Sequence, residues 1–184
     1  MGGADVVPFL KRAIGIDPKF AMAYSVLGQI YDSIGESEIS EETETRAYEL
    51  RDRASDEERY WISDEYDKLV TGNLEKADQT CRLWMQAYPR ATEPHEFLSG
   101  YISLVPGNYA KGAEEAKIAL GIDPDLGVAY SNLVISYLAL DRVEEAENTL
   151  RQSSARKVEI SDFVIQHYII AFLKGDKAAM EREA

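Results

Sequence analysis

The stretch Ala13-Ile14-Gly15-Ile16-Asp17-Pro18 recurs almost unchanged as Ala119-Leu120-Gly121-Ile122-Asp123-Pro124. Each copy leads into the same pattern, Ala23-Tyr24-Ser25-x-Leu27 in the first and Ala129-Tyr130-Ser131-x-Leu133 in the second. The two copies lie 106 residues apart, which is three periods of 34 residues plus about four inserted residues. A fixed period of this length predicts a chain of similar units that stack on one another.

Turn signals punctuate the chain at the same period. Glycine suits the end of a helix because it adopts a left-handed conformation without steric cost, and proline cannot continue a helix. The pattern therefore predicts a helix A, a tight turn, a helix B and a proline-marked turn, in repetition. The tight turns are predicted at Gly35-Glu36, Gly72-Asn73, Gly107-Asn108, Asp141-Arg142 and Gly175-Asp176. The ends of the second helices are predicted at Asp17-Pro18, Tyr88-Pro89 and Asp123-Pro124.

These units resemble the tetratricopeptide repeat (TPR) family, which places an aromatic residue early in helix A, then Leu-Gly, then Tyr. One unit supplies all of these, as Tyr24, Leu27-Gly28 and Tyr31. A later unit supplies Tyr130, Leu133 and Tyr137, with Val134 where glycine is usual. The third unit departs most, with Trp61, Asp64 and Glu65 at the patterned positions. The resemblance implies an all-α fold, a right-handed α-α superhelix (solenoid) of stacked helix-turn-helix units.

The turn signals divide residues 1–184 into a single predicted array. Its first unit is a lone helix B and its last is a truncated unit, so neither end resembles a polar capping repeat. We interpret the chain as a piece of a longer protein, with Met1-Gly2-Gly3 at least partly an added start. The predicted units are residues 4–20, 21–54, 58–91, 93–126, 127–160 and 161–184.

Composition is that of a repeat array with a continuous core. Of the 184 residues, 45% are hydrophobic and only 6 are proline. No apolar run approaches the length of a membrane span, and a cytoplasmic location is predicted. The single Cys81 cannot form an internal disulfide, and its place in a helix B indicates a small core residue.

Acidic residues are concentrated in one segment. Residues 36–67 hold thirteen acids and four arginines, out of a net charge of −13 for the chain. The favoured interpretation is a solvated helix face that starts at Ser40 and includes Thr43-Glu44, followed by a turn at Asp56-Glu57-Glu58. The alternatives are a docking surface for a basic partner and, less favoured, a metal site. Nucleic acid is argued against, because phosphate binding needs clustered lysine and arginine.

No catalytic pattern is present in these residues, so no enzyme, cofactor or metal is predicted for this segment. His95 and His167 lie in different units without ligand-spaced neighbours. His167 falls in an apolar helix A, which favours a packing role, whereas His95 begins another helix A and is placed at the groove. The sequence contains no phosphate-binding glycine loop and no nucleophile elbow.

Binding is therefore the predicted function. In the TPR family the concave surface is lined mainly by one face of each helix A, and here that face is apolar from the third unit onward. It predicts a groove for a protein or peptide partner, either an amphipathic helix or an extended apolar segment. The groove residues are Ile62, Tyr66, Leu69, Phe97, Tyr101, Leu104, Ile135, Leu138, Ile169 and Phe172.

Two alternatives stay open for this face. The first is that its residues pack on one another inside the array. The second is self-association, a homodimer through Val6, Val7 and Leu10 and the apolar helix at residues 163–173. A third option, a small ligand bound inside the groove, has no polar cluster to support it.

Three phrases are also similar to the C-terminal TPR regions of bacterial, acidobacterial-type serine/threonine protein kinases. They are residues 8–14, residues 46–53, and residues 171–176 with Met180-Glu181-Arg182. The resemblance implies that a kinase domain precedes the repeats in the parent protein and that the repeats recruit partners or sense signals. None of the kinase chemistry would lie in this segment.

Overall fold

The computed structural model describes residues 3–183, and their side chains from residue 5 to residue 182. Met1, Gly2 and Ala184 therefore lie outside the described residues. Within residues 3–183 all regular structure is helical. The chain divides into two compact parts, which are described separately: the first part, Met1–Pro89, and the second part, Arg90–Ala184.

The described residues of the first part form five α-helices and two short 3-10 helices. A 3-10 turn at Gly3–Val6 leads into the first α-helix, and another at Arg51–Arg53 follows the third. The α-helices are α1 (Val7–Ile16), α2 (Ala21–Ser33), α3 (Ser37–Leu50), α4 (Asp56–Leu69) and α5 (Leu74–Ala87). Helices α2 and α3 pack as a pair, and so do α4 and α5.

The second part continues the alternation of helices A and B in its described residues. Its helices are α6 (Glu93–Ser99), α7 (Tyr101–Leu104), α8 (Tyr109–Ile122), α9 (Gly127–Ala139), α10 (Val143–Ala155), α11 (Asp162–Lys174) and α12 (Lys177–Glu183). Helix α9 contacts α6 on one side and α11 on the other, so the A helices of successive units are neighbours.

The turns between helices A and B share one backbone feature. A residue in the left-handed region stands at each of them, where a helix ends and the chain reverses. Four are glycines and the fifth is Asp141, whose φ is 57°. The glycines are Gly35, Gly72, Gly107 and Gly175, with φ of 82°, 64°, 80° and 69°. The five predicted turn positions are confirmed.

Proline-marked ends are confirmed as well. Helices α1, α5 and α8 stop at Ile16, Ala87 and Ile122, and each is followed by a cap residue and then a proline. Two other boundaries differ from expectation. Helix α3 starts at Ser37, so Ser40 lies in its first turns and is buried instead of capping it. The predicted fourth helix A is interrupted at Gly100, whose φ of −89° and ψ of −121° separate α6 from α7.

The helices reproduce the offset of the sequence repeat. Helix starts at residues 21, 37 and 56 recur at 127, 143 and 162, an offset of 106 in each case. Residues of α2, α3 and α4 therefore have a counterpart, 106 positions later, in α9, α10 and α11. Each part has its own core, around Ala47 and Ile62 in the first and around Val134 and Leu150 in the second.

Candidate functional site

One row of apolar side chains lies on the A helices of the second part. Tyr101, Ile135 and Ile169 stand 34 residues apart, and so occupy the same register position in α7, α9 and α11. Their exposed fractions are 45%, 37% and 40%. Three large apolar side chains are thus exposed to solvent at one repeated position. At a core position, side chains of this kind would be buried.

A second row runs one helical turn further on. Leu104, Leu138 and Phe172 are again 34 residues apart, and the first two are half-buried while Phe172 is 63% exposed. The two rows together form the apolar A face, which is defined by Tyr101, Leu104, Ile135, Leu138, Ile169 and Phe172. Val105 and Leu173, the next residues along, are exposed too and extend its apolar surface.

Two predicted groove residues are in the interior. Ile62 is fully buried in the core of the first part, and Phe97 is also buried. The structure corrects their assignment: neither side chain is offered to a partner, because each packs against its neighbours. Tyr66 and Leu69 are half-buried, and the Tyr66 ring stacks on Tyr48 with centroids 4.0 Å apart. The first alternative is that the groove residues pack on one another. It describes the groove residues of the first part better than those of the second part.

The first part contains a buried charge cluster that sequence reasoning missed. Its members are Glu44 on α3 and Asp64, Glu65 and Lys68 on α4, all buried. The Lys68 ammonium lies 3.1 Å from Asp64 Oδ2 and also pairs with Glu65. Ser25 on α2 donates its hydroxyl to Glu44 at 3.0 Å. Four ionisable groups thus share the interior of the first part.

Burial sets the protonation of this cluster. Loss of hydration, with the Glu65 carboxylate adding to it, raises the pKa of Glu44 to about 9, so its carboxyl is neutral at pH 7. Loss of hydration also raises the pKa of Asp64 to about 6, against the attraction of Lys68. Burial by itself would lower the pKa of Lys68, but Glu65 and Asp64 outweigh it and raise that pKa above its usual value. The cluster therefore keeps its ammonium charged and one carboxyl protonated.

Cys81 on α5 borders the same cluster. Its thiol is buried and donates to Asp64 Oδ1 at 3.2 Å, which confirms the predicted core position. Burial, with the nearby Asp64 carboxylate, raises the pKa of the thiol well above its usual range. A thiol held protonated in this way is a poor nucleophile.

The positions equivalent to the three buried acids Glu44, Asp64 and Glu65 are apolar in the second part. Counting 106 residues on from Glu44, Asp64 and Glu65 leads to Leu150, Ile170 and Ala171, all of them buried. The repeat thus places ionic side chains in one copy and aliphatic ones in the other at the same positions. The only sequence signal was the departure of Asp64-Glu65 from the TPR pattern, which did not reveal that Glu44 would join them.

The acidic segment is only partly the solvated face that was favoured. Four of its acids are buried: Glu44, Asp64, Glu65 and Asp67. The expected turn at residues 56–58 is instead the first turn of α4. That helix begins with a capping box in which Ser55 accepts from the Glu58 amide and the Glu58 carboxylate accepts from the Ser55 amide.

The two histidines lie in different surroundings. His95 is buried, and its Nδ1 lies 2.7 Å from Glu115 Oε2 on α8, so it is not open to a groove. His167 is partly buried on α11. Across the described residues no group of three or more His, Cys, Asp or Glu side chains is placed to hold a metal ion. None of the described helices is both long enough and apolar enough to cross a membrane.

Comparison with solved structures identifies the fold. A tetratricopeptide repeat protein from Parabacteroides merdae matches 98% of this chain over 69% of its own, with a TM-score of 0.68 and 13% identity. PilW, a widely conserved type IV pilus biogenesis factor, matches 98% of this chain over 82% of its own, with a TM-score of 0.67 and 16% identity. MamA matches 84% of this chain over 88% of its own, with a TM-score of 0.53 and 17% identity.

These neighbours confirm the predicted fold class, an all-α solenoid of TPR type. No family model matches the sequence, and no curated protein matches it. The likeness is one of backbone, at identities of 13–17% among the three structures described. A likeness at this level of identity shows the fold alone.

Proposed function

We propose that the chain is a protein-interaction module and that the apolar A face binds a peptide or helix of a partner. The observation that carries this is the exposed row of Tyr101, Ile135 and Ile169 at one register position of successive A helices. Contiguous exposed apolar surface on a soluble domain commonly marks an interface. The spacing of the row along neighbouring helices suits an elongated occupant.

The chemistry of the face indicates an apolar occupant. Its six defining side chains are aliphatic or aromatic, and none carries a charge. An amphipathic helix or an extended apolar segment would bury them together, with Tyr101 and Phe172 as the aromatic anchors. A partner held by an acidic terminus would need lysine, arginine or asparagine at these positions, and none is there.

Selection of displayed random peptides against the chain tests this proposal. We expect apolar, helix-compatible binders that lose at least about tenfold in affinity when Ile135→Asp or Ile169→Asp is introduced. Ile118→Asp on α8 is the matched control, because Ile118 is 47% exposed but lies on a B helix outside the face. Binders that respond equally to the control variant would refute the face as the site.

Self-association is the second candidate. It is favoured by exposed Val164 and Ile165 on α11, and by exposed Phe9 on α1, which add apolar surface beyond the defining rows. Multi-angle light scattering over a range of concentrations distinguishes the two functions. A stable dimer that Ile169→Asp or Val164→Asp dissociates, with no peptide selected, would assign the surface to a second copy of the chain.

We further propose that the repeats belong to a bacterial signalling protein such as a serine/threonine kinase and act in its recruitment of partners. The support is the resemblance of residues 8–14, 46–53 and 171–176 to such repeat regions. Reading the genomic frame that contains this sequence is the test. A kinase catalytic loop upstream in the same frame is expected, and another kind of domain there would overturn the assignment.

A further inference from the structure

Tyr31 and Tyr137 are counterparts in the 106-residue repeat, and each lies beneath a lysine. Lys11 Nζ is 5.7 Å from the centre of the Tyr31 ring, and Lys117 Nζ is 5.4 Å from that of Tyr137. Lys11 and Lys117 are themselves 106 residues apart. The two rings therefore have the same surroundings on this side.

The surroundings of Tyr31 and Tyr137 differ on another side of the ring. In the second part the guanidinium carbon of Arg142 lies 4.6 Å from the centre of Tyr137. Glu145 holds that guanidinium through two hydrogen bonds. Tyr137 is covered as a result, with 7% of its surface exposed. A guanidinium is favourably placed when it stacks on an aromatic ring and donates two hydrogen bonds to one carboxylate.

The first part lacks this arginine although its backbone is the same. Glu36 stands where Arg142 does, and Ile39 where Glu145 does. Both cap residues have a ψ of 60°. The Glu36 amide donates to Tyr31 O at 2.9 Å, and the Arg142 amide donates to Tyr137 O at 2.8 Å. Tyr31 is left only half-buried.

A groove opens over Tyr31. Its volume is about 750 Å³, against about 370 Å³ for the equivalent groove beside Tyr137. Tyr24, Leu27 and Ile39 form part of its apolar wall. Four glutamates and one arginine also line it, and that arginine, Arg46, is already paired with Glu49 at 2.8 Å. Among the described residues no cation pairs with the other three, Glu38, Glu41 and Glu42.

We propose that this groove is a docking site for an arginine-bearing amphipathic segment of a partner protein. The incoming guanidinium stacks on Tyr31, as Arg142 does on Tyr137, and Glu38 and Glu42 accept its N–H groups. Apolar residues of the same segment lie against Tyr24 and Ile39. The groove is formed by α2 and the B helix α3, and it is independent of the apolar A face.

Charge and shape both favour arginine as the group that is bound. Three uncompensated carboxylates attract a cation, and a planar guanidinium can stack and form a bidentate hydrogen bond at once. The second part shows that such a ring accepts an arginine while a lysine is already present. Glu42 corresponds to Asn148, so the open copy also carries more negative charge than the closed one.

Fluorescence anisotropy with labelled synthetic peptides tests the site. The probe is a short amphipathic helical peptide whose polar face carries only arginine, and its control replaces each arginine with the neutral isostere citrulline. We expect the citrulline peptide to bind at least about tenfold more weakly. Equal binding of the two peptides would show that apolar contact alone drives association and would overturn the proposal.

A second experiment places an arginine of the chain itself over Tyr31. Glu36→Arg with Ile39→Glu copies the Arg142 and Glu145 pair onto Tyr31, and should abolish binding of the arginine peptide. Asp52→Arg, on the exposed 3-10 turn, makes the net charge more positive than the double substitution does, because that substitution also adds a glutamate, and it should still reduce binding only slightly. A loss as large with Asp52→Arg would show a non-specific charge effect and refute the site.

Aromatic resonances locate the peptide. With tyrosine labelled, the Tyr31 ring signals should shift on addition of the arginine peptide while those of Tyr137 stay in place. Equal shifts at both rings would overturn the assignment. Ile169→Asp on the apolar A face should leave this binding unchanged, so failure here and failure of the proposed function are separate results.

Discussion

Gly28 and Glu44 share one place in the interior of the first part. A β-carbon on Gly28 would lie 2.6 Å from Glu44 Oε1 and 2.7 Å from its Cγ. The glycine of the Leu27-Gly28 pattern therefore makes room for a carboxyl group on the facing helix. In the second copy the same two positions are Val134 and Leu150, both fully buried. The first part thus pairs a glycine with a glutamate at these two positions, whereas the second part pairs a valine with a leucine.

This pairing predicts a non-additive pair of substitutions. Gly28→Val alone should destabilise the chain strongly, because its added atoms overlap Glu44 in a packed interior. Combined with Glu44→Leu it should recover much of that loss, since the pair then matches the second copy. Urea denaturation of the two single variants and the double variant gives the coupling, expected to be on the order of 1–3 kcal/mol. Additive losses would show that the two positions do not share space.

The raised pKa of Glu44 predicts a stability that falls with pH. Its carboxyl is protonated in the folded chain up to about pH 9, whereas the unfolded chain ionises near the usual value of 4.5. Between these values only the folded state holds the proton, so unfolding becomes easier as pH rises. Glu44→Gln keeps a neutral group of the same shape and should flatten this dependence.

Urea denaturation between about pH 5 and about pH 9 measures the effect. We expect Glu44→Gln to be more stable than the parent chain at the alkaline end by on the order of 1–3 kcal/mol. Glu42→Gln, an exposed neighbour on α3, is the control and should follow the parent curve. Parallel slopes for the parent and Glu44→Gln would contradict a neutral buried carboxyl.

Removal of the buried cation should be costly. Lys68→Met leaves Asp64 and Glu65 facing each other without the ammonium that pairs with both. The expected loss of stability is about 3–5 kcal/mol, because an uncompensated buried charge remains. Arg46→Met removes an exposed cation from the pair with Glu49 and should change stability little. Thermal unfolding by circular dichroism compares the two, and similar melting points would argue against a buried ion pair.

Two phenylalanines on A helices should respond oppositely to the same substitution. Phe97→Asp buries a charge in a packed interior and should cost more than about 3 kcal/mol, with loss of helical signal. Phe172→Asp places the charge in water on the apolar A face and should leave the fold intact. Circular dichroism in urea separates these outcomes. A Phe97→Asp variant that stays folded would show that the Phe97 side chain is accessible and not part of the core.

The local architecture was predictable because its causes are local. Gly35 and Asp141 stand where a helix must reverse, and Pro18 and Pro124 stand where it must stop. Such constraints act on the residue itself and can be recognised without its distant neighbours. The apolar rows of the second part were predictable for a similar reason, since a 34-residue spacing puts Ile135 and Ile169 at one register position.

Burial of charge was not predictable, because it depends on contacts between helices. Glu44 and Glu42 lie two residues apart on α3, yet one is buried beside Asp64 and the other is exposed. Nothing in the acidic run distinguishes them. Phe97 resembled Phe172 in the same way, since both are apolar residues on A helices, and only packing separates the buried ring from the exposed one.

The sequence alone determined the repeat length, the turns, the helix ends and hence the all-α TPR-type fold. The tertiary structure decided which side chains of that fold are interior, and it placed Glu44 against Gly28, Asp64 and Glu65. It also left Tyr31 open where Arg142 closes the matching ring. Backbone preferences act within a few residues, whereas hydration and packing depend on residues that only folding brings together.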